Sequence, residues 1–239
     1  MANIFSIIFY IPLYNALIFC INFLSFHNAG LAVIVLTIII RIILFPLSRQ
    51  AIKTQLQMKL VEPELKKIRE TVKDKQEQAK RIMQVYKESD INPFASIILL
   101  IIQLPILIAL YQVFRSSLPK VTTSILYPFI TAPSIVYMSF LGISLSSGSV
   151  ILAIITVITQ FIQLQLSLPK VEKSKERSFQ NDLAYNMNVQ MKYIFPLIIF
   201  PIAYISSVLA LYLITTNIFM ILQELFVRRR LAEKYNKAV

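Results

Sequence analysis

A single arginine raises the chemical question. Arg41 lies inside Ala29 to Leu47, a stretch that is otherwise apolar apart from Thr37. On a helix it would sit roughly 12 Å from Arg49, too deep for a simple end anchor. A central arginine costs about 2.5–3.5 kcal/mol to insert, which the surrounding Leu, Ile, Val and Phe offset. The usual remedy is a carboxylate at the same depth. No Asp or Glu precedes Glu62, and Glu224, near the end of the last apolar stretch, is the only near candidate. Uncharged polar residues do occur inside apolar stretches: Gln103, Gln160, Gln163, Thr215, Thr216 and Asn217. Each can hydrogen-bond water or backbone. Scattered singly, such residues hold helices together. Converging on Arg41 with Thr37, they would line a polar groove able to receive an anion. The plainer alternative is that Arg41 snorkels to the inner interface.

The same inventory excludes much else. One cysteine (Cys20) and one histidine (His27) can build neither an internal disulfide nor a Cys/His metal site. Three glycines, Gly30, Gly142 and Gly148, form no dinucleotide fingerprint or phosphate-cradling loop. No cofactor and no metal are expected. Paired aspartates within apolar stretches, or a serine with a histidine or lysine base at membrane depth, are absent, so the chain is not expected to be an enzyme. A proton relay would need Asp, Glu or His in the membrane. Residue types alone leave open a channel or small-solute transporter with Arg41 as an anion site. They also leave open an assembly subunit whose Arg41 meets a partner's carboxylate.

The elements that would position these residues follow from composition. The chain has 239 residues, 56% hydrophobic and 15% charged, with a net charge of +12; its mean hydropathy is +0.67. That is too apolar for a soluble nucleic-acid binder of similar charge, and no DNA partner is expected. A helix needs about 20 mostly apolar residues to cross a bilayer. Five stretches qualify: Ala29 to Leu47, Pro93 to Phe114, Ser134 to Leu166, Gln190 to Tyr204, and Ser206 to Val227. The last two are joined so tightly that they form a hairpin. A sixth, Ile4 to Phe26, is uncharged but interrupted by Ser6, Pro12, Asn15, Asn22 and Ser25. Asn15 and Asn22, seven apart, share one helical face, so this helix either lies in the interface or spans.

Charge then sets orientation. Of 24 Lys and Arg, 21 fall in Arg49 to Lys87, Lys170 to Lys192 and Arg228 to Lys237, which share one side if the five spans alternate. The positive-inside bias makes these segments and the C-terminus cytoplasmic, with the N-terminal region outside. Lys53 to Asp90 reads as helix, break at Lys73-Asp74-Lys75, helix. It is either a solvated linker or a docking surface for a ribosome, a targeting factor or an incoming chain.

The run GLAVIVLTIIIRIILFPLSRQ (Gly30 to Gln50) resembles the first core span of the YidC-type membrane protein insertase family. QLPILIALYQVF (Gln103 to Phe114), TQFIQLQLS (Thr159 to Ser167) and LYLITTNIFMILQE (Leu211 to Glu224) resemble the next, third and last core spans. The likeness covers nearly the whole chain, in order, and is to a short form of a family with mitochondrial and chloroplast relatives. It implies an all-α polytopic membrane protein: five core transmembrane helices around a hydrophilic groove, a cytoplasmic helical hairpin and an N-terminal interfacial helix. A single insertase domain would then cover residues 1–239: N-terminal helix 1–28, spans at 29–52, 92–116, 134–167, 189–205 and 206–227, hairpin 53–91, loop 168–188 and basic tail 228–239. The resemblance maps the family's groove arginine onto Arg41, its span-three glutamine onto Gln163 and its final-span asparagine onto Asn217, with Thr37 at a substrate-contacting position. Gln103 and Thr216 complete the expected groove. The implied function is insertion and chaperoning of nascent membrane proteins in the bacterial inner membrane, with nascent chains, lipid, a ribosome and a Sec-type translocon as expected partners.

Overall fold

The computed structural model describes residues 4–24, 26–92, 95–116, 121–168, 186 and 188–236. The chain is an all-α polytopic membrane protein. A π-helical turn, Ser6–Tyr10, leads into α1 (Ile11–Phe23). There follow α2 (Ala29–Ile43), α3 (Phe45–Thr71), α4 (Lys75–Glu88), α5 (Ala95–Ser116) and α6 (Val150–Ser167). A second π turn, Gln190–Ile194, opens α7 (Phe195–Ile205), and α8 (Ser207–Asn236) ends the fold. Both π turns run into a proline at the second position of the next helix, Pro12 and Pro196. Proline lacks the N–H of the ordinary ladder, and a widened turn is one way to accommodate it.

Ser6–Phe23, Val150–Ser167 and Ser207–Arg230 are long and apolar enough to cross a membrane alone. Ala29–Ile43 and Phe45–Thr71 meet the test as a pair, while Ile101–Arg115 and Gln190–Ile205 are shorter apolar helices.

Three expected boundaries change. Within the first expected span, 29–52, helix α2 ends at Ile43, and α3 starts at Phe45 and carries on as the first arm of the hairpin. Pro46, at the second position of α3, cannot donate to the carbonyl of Ile42, so the ladder is broken there. The span expected over 134–167 is helical only from Val150, where the Ser149 hydroxyl caps the helix by accepting from the Leu152 N–H (3.4 Å). Upstream, β1 (Ser139–Phe140) and β2 (Ile143–Ser144) form a two-stranded antiparallel hairpin. Its turn places Leu141 at φ 49° and Gly142 at φ 79°, the left-handed geometry that a two-residue hairpin turn uses. Finally, the tail expected from 228 is a continuation of α8 through Asn236. The loop expected at 168–188 lies, apart from Leu168, Asn186 and Asn188, outside the described residues.

Two compact units result, Met1–Ile43 with Gln103–Leu222, and Leu44–Ile102 with Gln223–Val239. In the first, Leu152 and Ala153 of α6, Ala203 of α7, and Ala210 and Ile214 of α8 form a core packed on Ile143 and Phe200. Small residues at these contacts let apolar helices approach closely, which is how helices associate where lipid is as apolar as their side chains. At one end of this unit the Ser207 hydroxyl donates to the Ser147 carbonyl (2.5 Å). Gly148 lies so near the Tyr204 carbonyl that a Cβ would come within 1.9 Å of it.

The same unit explains the asparagines of α1. Asn15 Nδ2 donates to the Ile125 carbonyl (2.9 Å), its Oδ1 accepts from the Tyr127 N–H (2.7 Å), and Asn22 Nδ2 donates to the Thr131 carbonyl (2.7 Å). Tyr14 accepts from the Thr122 N–H (2.7 Å). The polar face of α1 is therefore used inside the protein, to satisfy the backbone of the 122–131 loop.

In the second unit, α3 and α4 form the hairpin. Asp74 caps α4 by accepting from the Gln76 N–H (3.0 Å), and Gln78 Nε2 donates to the Arg69 (3.1 Å) and Val72 (3.0 Å) carbonyls left over at the end of α3. At the far end of α4, Asp90 stands at φ 52°, and the Ile91 N–H reaches the Tyr86 carbonyl (2.8 Å). This is the left-handed stop that ends many helices.

Candidate functional site

The buried side of α2 is Ala29, Gly30, Ala32, Val33, Leu36, Thr37 and Arg41, while Leu31, Ile38, Ile39, Ile42 and Ile43 are exposed. Helical spacing thus turns the single cation inward and the isoleucines outward. Arg41 is 4% exposed. Its Nη2 donates to Gln103 Oε1 of α5 (2.8 Å), and Gln103 Nε2 donates in turn to the hydroxyl of Tyr212 on α8. Among the described residues Arg41 makes no ion pair. A buried guanidinium is therefore held by a neutral amide, itself held by a buried phenol. This arrangement has spare affinity for an anion, because hydrogen bonds to a carboxylate are roughly twice as strong as those to a neutral acceptor.

The other expected residues divide. Thr37 is buried one turn before Arg41, but its hydroxyl donates to the Val33 carbonyl (2.6 Å). Thr216 is buried one turn beyond Tyr212 on the same helix. Asn217 Nδ2 donates across to Thr159 Oγ1 of α6 (3.2 Å). Gln163 stays on α6, accepting from Gln160 (3.2 Å) and donating to Ser167 (2.9 Å). Of the expected set, the structure joins only Gln103 to Arg41 by a direct hydrogen bond. Gln163 and Thr156 are buried on the inward side of α6, and Asn217 of α8 reaches that helix at Thr159.

The opposite side of α6 presents Ile151, Ile154, Ile155, Ile158, Phe161 and Ile162. This helix is polar inward and greasy outward, the reverse of a helix in water. In this arrangement Gln103 stands between Arg41 and Tyr212 as the shared hydrogen-bond partner. Sequence reading passed over Tyr212. The available signal was a tyrosine in an apolar span, whose hydroxyl must find a partner once buried.

Glu224, 2% exposed, lies in the other unit. Its carboxylate accepts from Arg228 Nε (2.9 Å) and Nη2 (2.6 Å), four residues on along the same helix. Nearby, Gln223 Nε2 donates to the Ser48 hydroxyl (2.5 Å), tying α8 to the first turn of α3.

Comparisons with known proteins agree with this architecture. The family model described as 60Kd inner membrane protein matches residues 21–234. A protein of Clostridium tetani named membrane protein insertase YidC is 30% identical over 205 residues, which cover 85% of this chain and 83% of that one. Proteins of the same name from Oceanobacillus iheyensis and Fusobacterium nucleatum subsp. nucleatum are 30% and 29% identical over 86% and 85% of this chain and 76% and 87% of their own lengths. Among solved structures, an active YidC insertase with its first transmembrane domain resolved superposes with a TM-score of 0.56 at 23% identity, over 90% of this chain. That likeness speaks to the fold, and the chain spans 45% of the solved one. With most of its length matched in sequence and its fold shared, this chain belongs to the 60Kd inner membrane protein family.

Proposed function

We propose that this chain is a membrane protein insertase, which receives hydrophobic segments of nascent proteins and passes them into the bilayer without covalent chemistry. The observation that carries the reading is the buried guanidinium of Arg41, held by the amide of Gln103 and by no carboxylate among the described residues. A structural arginine at this depth would be expected to carry its own anion. One kept on a neutral partner can exchange it. The acidic flank of an incoming segment displaces Gln103, and the charge-assisted bond offsets part of the carboxylate's desolvation. Water follows the polar flank, and the groove lined by Arg41, Thr37, Gln103, Gln163, Thr216 and Asn217 is wet while it is occupied. The hydrophobic segment then moves along the isoleucine-rich outer faces of α2 and α6 into lipid, driven by burial of apolar area.

In this reading the chain is a multi-pass protein of the bacterial inner membrane with its C-terminus in the cytoplasm. The basic hairpin faces a ribosome or a Sec-type translocon. The N-terminal helix lies at the outer interface, where its asparagines hold the 122–131 loop. The test is site-specific photocrosslinking from Thr37 and Gln163 to a stalled nascent membrane protein. Crosslinks from both positions support the groove. Crosslinks only from lipid-facing Ile42 and Ile158 contradict it.

A further inference from the structure

A second site stands out in the hairpin. Between the first half of α3 and the last turns of α4 lies a cavity of about 660 Å³ lined by Lys53, Lys80 and Lys87 together with Gln57, Gln84 and Asn92. These lysines differ from the others of the hairpin in their neighbours. Lys66 has Glu70 and Arg81 has Glu77 one turn away, and each pair forms an ion pair (3.7 and 2.5 Å). One turn on from Lys53 and Lys80 the sequence places Gln57 and Gln84 instead. Among the described residues Lys53, Lys80 and Lys87 make no ion pair. Asp90 is the one acid in the lining, so the cavity carries a formal +2. Met83 and Ile91 add an apolar wall, and the left-handed stop at Asp90 fixes where that wall stands.

Position identifies the ligand. The cavity is at the base of the hairpin, away from the Val72 to Asp74 turn. Lys53 lies roughly 12 Å along α3 from Phe45, and Asn92 comes shortly before α5. Both chain segments are there leaving or approaching the hydrocarbon, at the depth of lipid headgroups. From the function reading this takes the spanning of α2 and α5 and the cytoplasmic placement of the hairpin. We propose that the cavity binds the phosphodiester of an acidic phospholipid of the cytoplasmic leaflet. The lysines and side-chain amides hold the phosphate, and Met83 and Ile91 lie against the glycerol and first acyl carbons. Occupancy would clamp the base of α3 to α4 and tie the hairpin to the membrane surface.

The test uses the full chain purified in detergent with phosphatidylglycerol and phosphatidylcholine, and native mass spectrometry of retained lipid. Wild type is expected to hold one phosphatidylglycerol more firmly than any phosphatidylcholine. Lys53→Gln with Lys80→Gln and Lys87→Gln should lower that retention at least about tenfold. Arginine at the same three positions should restore it. Neutralising the same number of charges nearer the hairpin tip, at Lys66, Lys67 and Lys73, should change it less than about twofold. Equal loss from both glutamine sets would overturn the proposal, because the lipid would then be held by net charge alone. So would unchanged retention in the cavity variant, or displacement of the lipid by millimolar inorganic phosphate, which would mark a site for a soluble anion.

Discussion

Charge is used in opposite ways in the two units. In the unit built on α2, α6 and α8, one arginine is buried at 4% exposure and satisfied by an amide and, through it, a phenol. In the hairpin, charges are many, mostly exposed, and partly paired one helical turn apart. Exposed pairs of this kind contribute about 0–1 kcal/mol each. A buried charge on a neutral partner is held at a net cost, and such a cost is most readily understood as serving a ligand. Many weak charges make a surface, whereas one buried, under-compensated charge makes a site.

Substitutions can break or sharpen this contrast. The largest structural effect is expected where backbones touch. Gly148→Ala would push a Cβ into the Tyr204 carbonyl and should destabilise the unit by about 3 kcal/mol or more, read as loss of monodisperse protein in detergent. Asn15→Ala removes the partner of the Ile125 carbonyl and the Tyr127 N–H. It should cost about 1–3 kcal/mol and open the 122–131 loop to protease at concentrations that leave wild type intact. Asp74→Ala should cost about 1 kcal/mol, confined to faster hydrogen exchange in the first turn of α4. Glu70→Ala, which breaks an exposed pair, should shift thermal stability by less than about 0.5 kcal/mol. If Glu70→Ala proved as damaging as Asn15→Ala, the contrast between the units would fail.

Arg41→Met has its own signature. Replacing a lone buried charge with an apolar side chain of similar length removes a desolvation cost of several kcal/mol, against about 1–3 kcal/mol for the Gln103 Oε1 left without its donor. The variant should therefore melt at or above the wild-type temperature while losing insertion of acidic substrates. A lower melting temperature would mark Arg41 as a structural residue.

The apolar runs and the break at Lys73 to Lys75 were legible as residue spacing, while the inward turn of Arg41 was one of two readings that spacing left open. Boundaries inside apolar runs were harder, because hydropathy does not register geometry. Pro46 was the sign that α2 and α3 are separate, and Gly142, Gly148 and Ser149 were the signs that 134–149 precedes the helix. Partners across the fold were the least visible. The shared face of Asn15 and Asn22 was readable, but not that it grips a loop more than a hundred residues away. The candidate groove residues were chosen by type, depth and family resemblance. Which of them meet Arg41 depends on helix rotation, which is why Gln103 and the unforeseen Tyr212 are its neighbours while Gln163 bonds along its own helix.

The central claim is that Arg41 is kept on a neutral partner so that passing carboxylates can take its place. Gln103→Glu tests it most directly, because the change is nearly isosteric and gives Arg41 a permanent anion. In proteoliposomes, insertion of a single-span substrate with an acidic flank should fall at least about tenfold, matching a differential of roughly 1.4 kcal/mol or more. Its neutral-flank counterpart should insert as before, and Gln103→Ala should retain insertion of both. Wild-type insertion of the acidic substrate by Gln103→Glu would contradict the account.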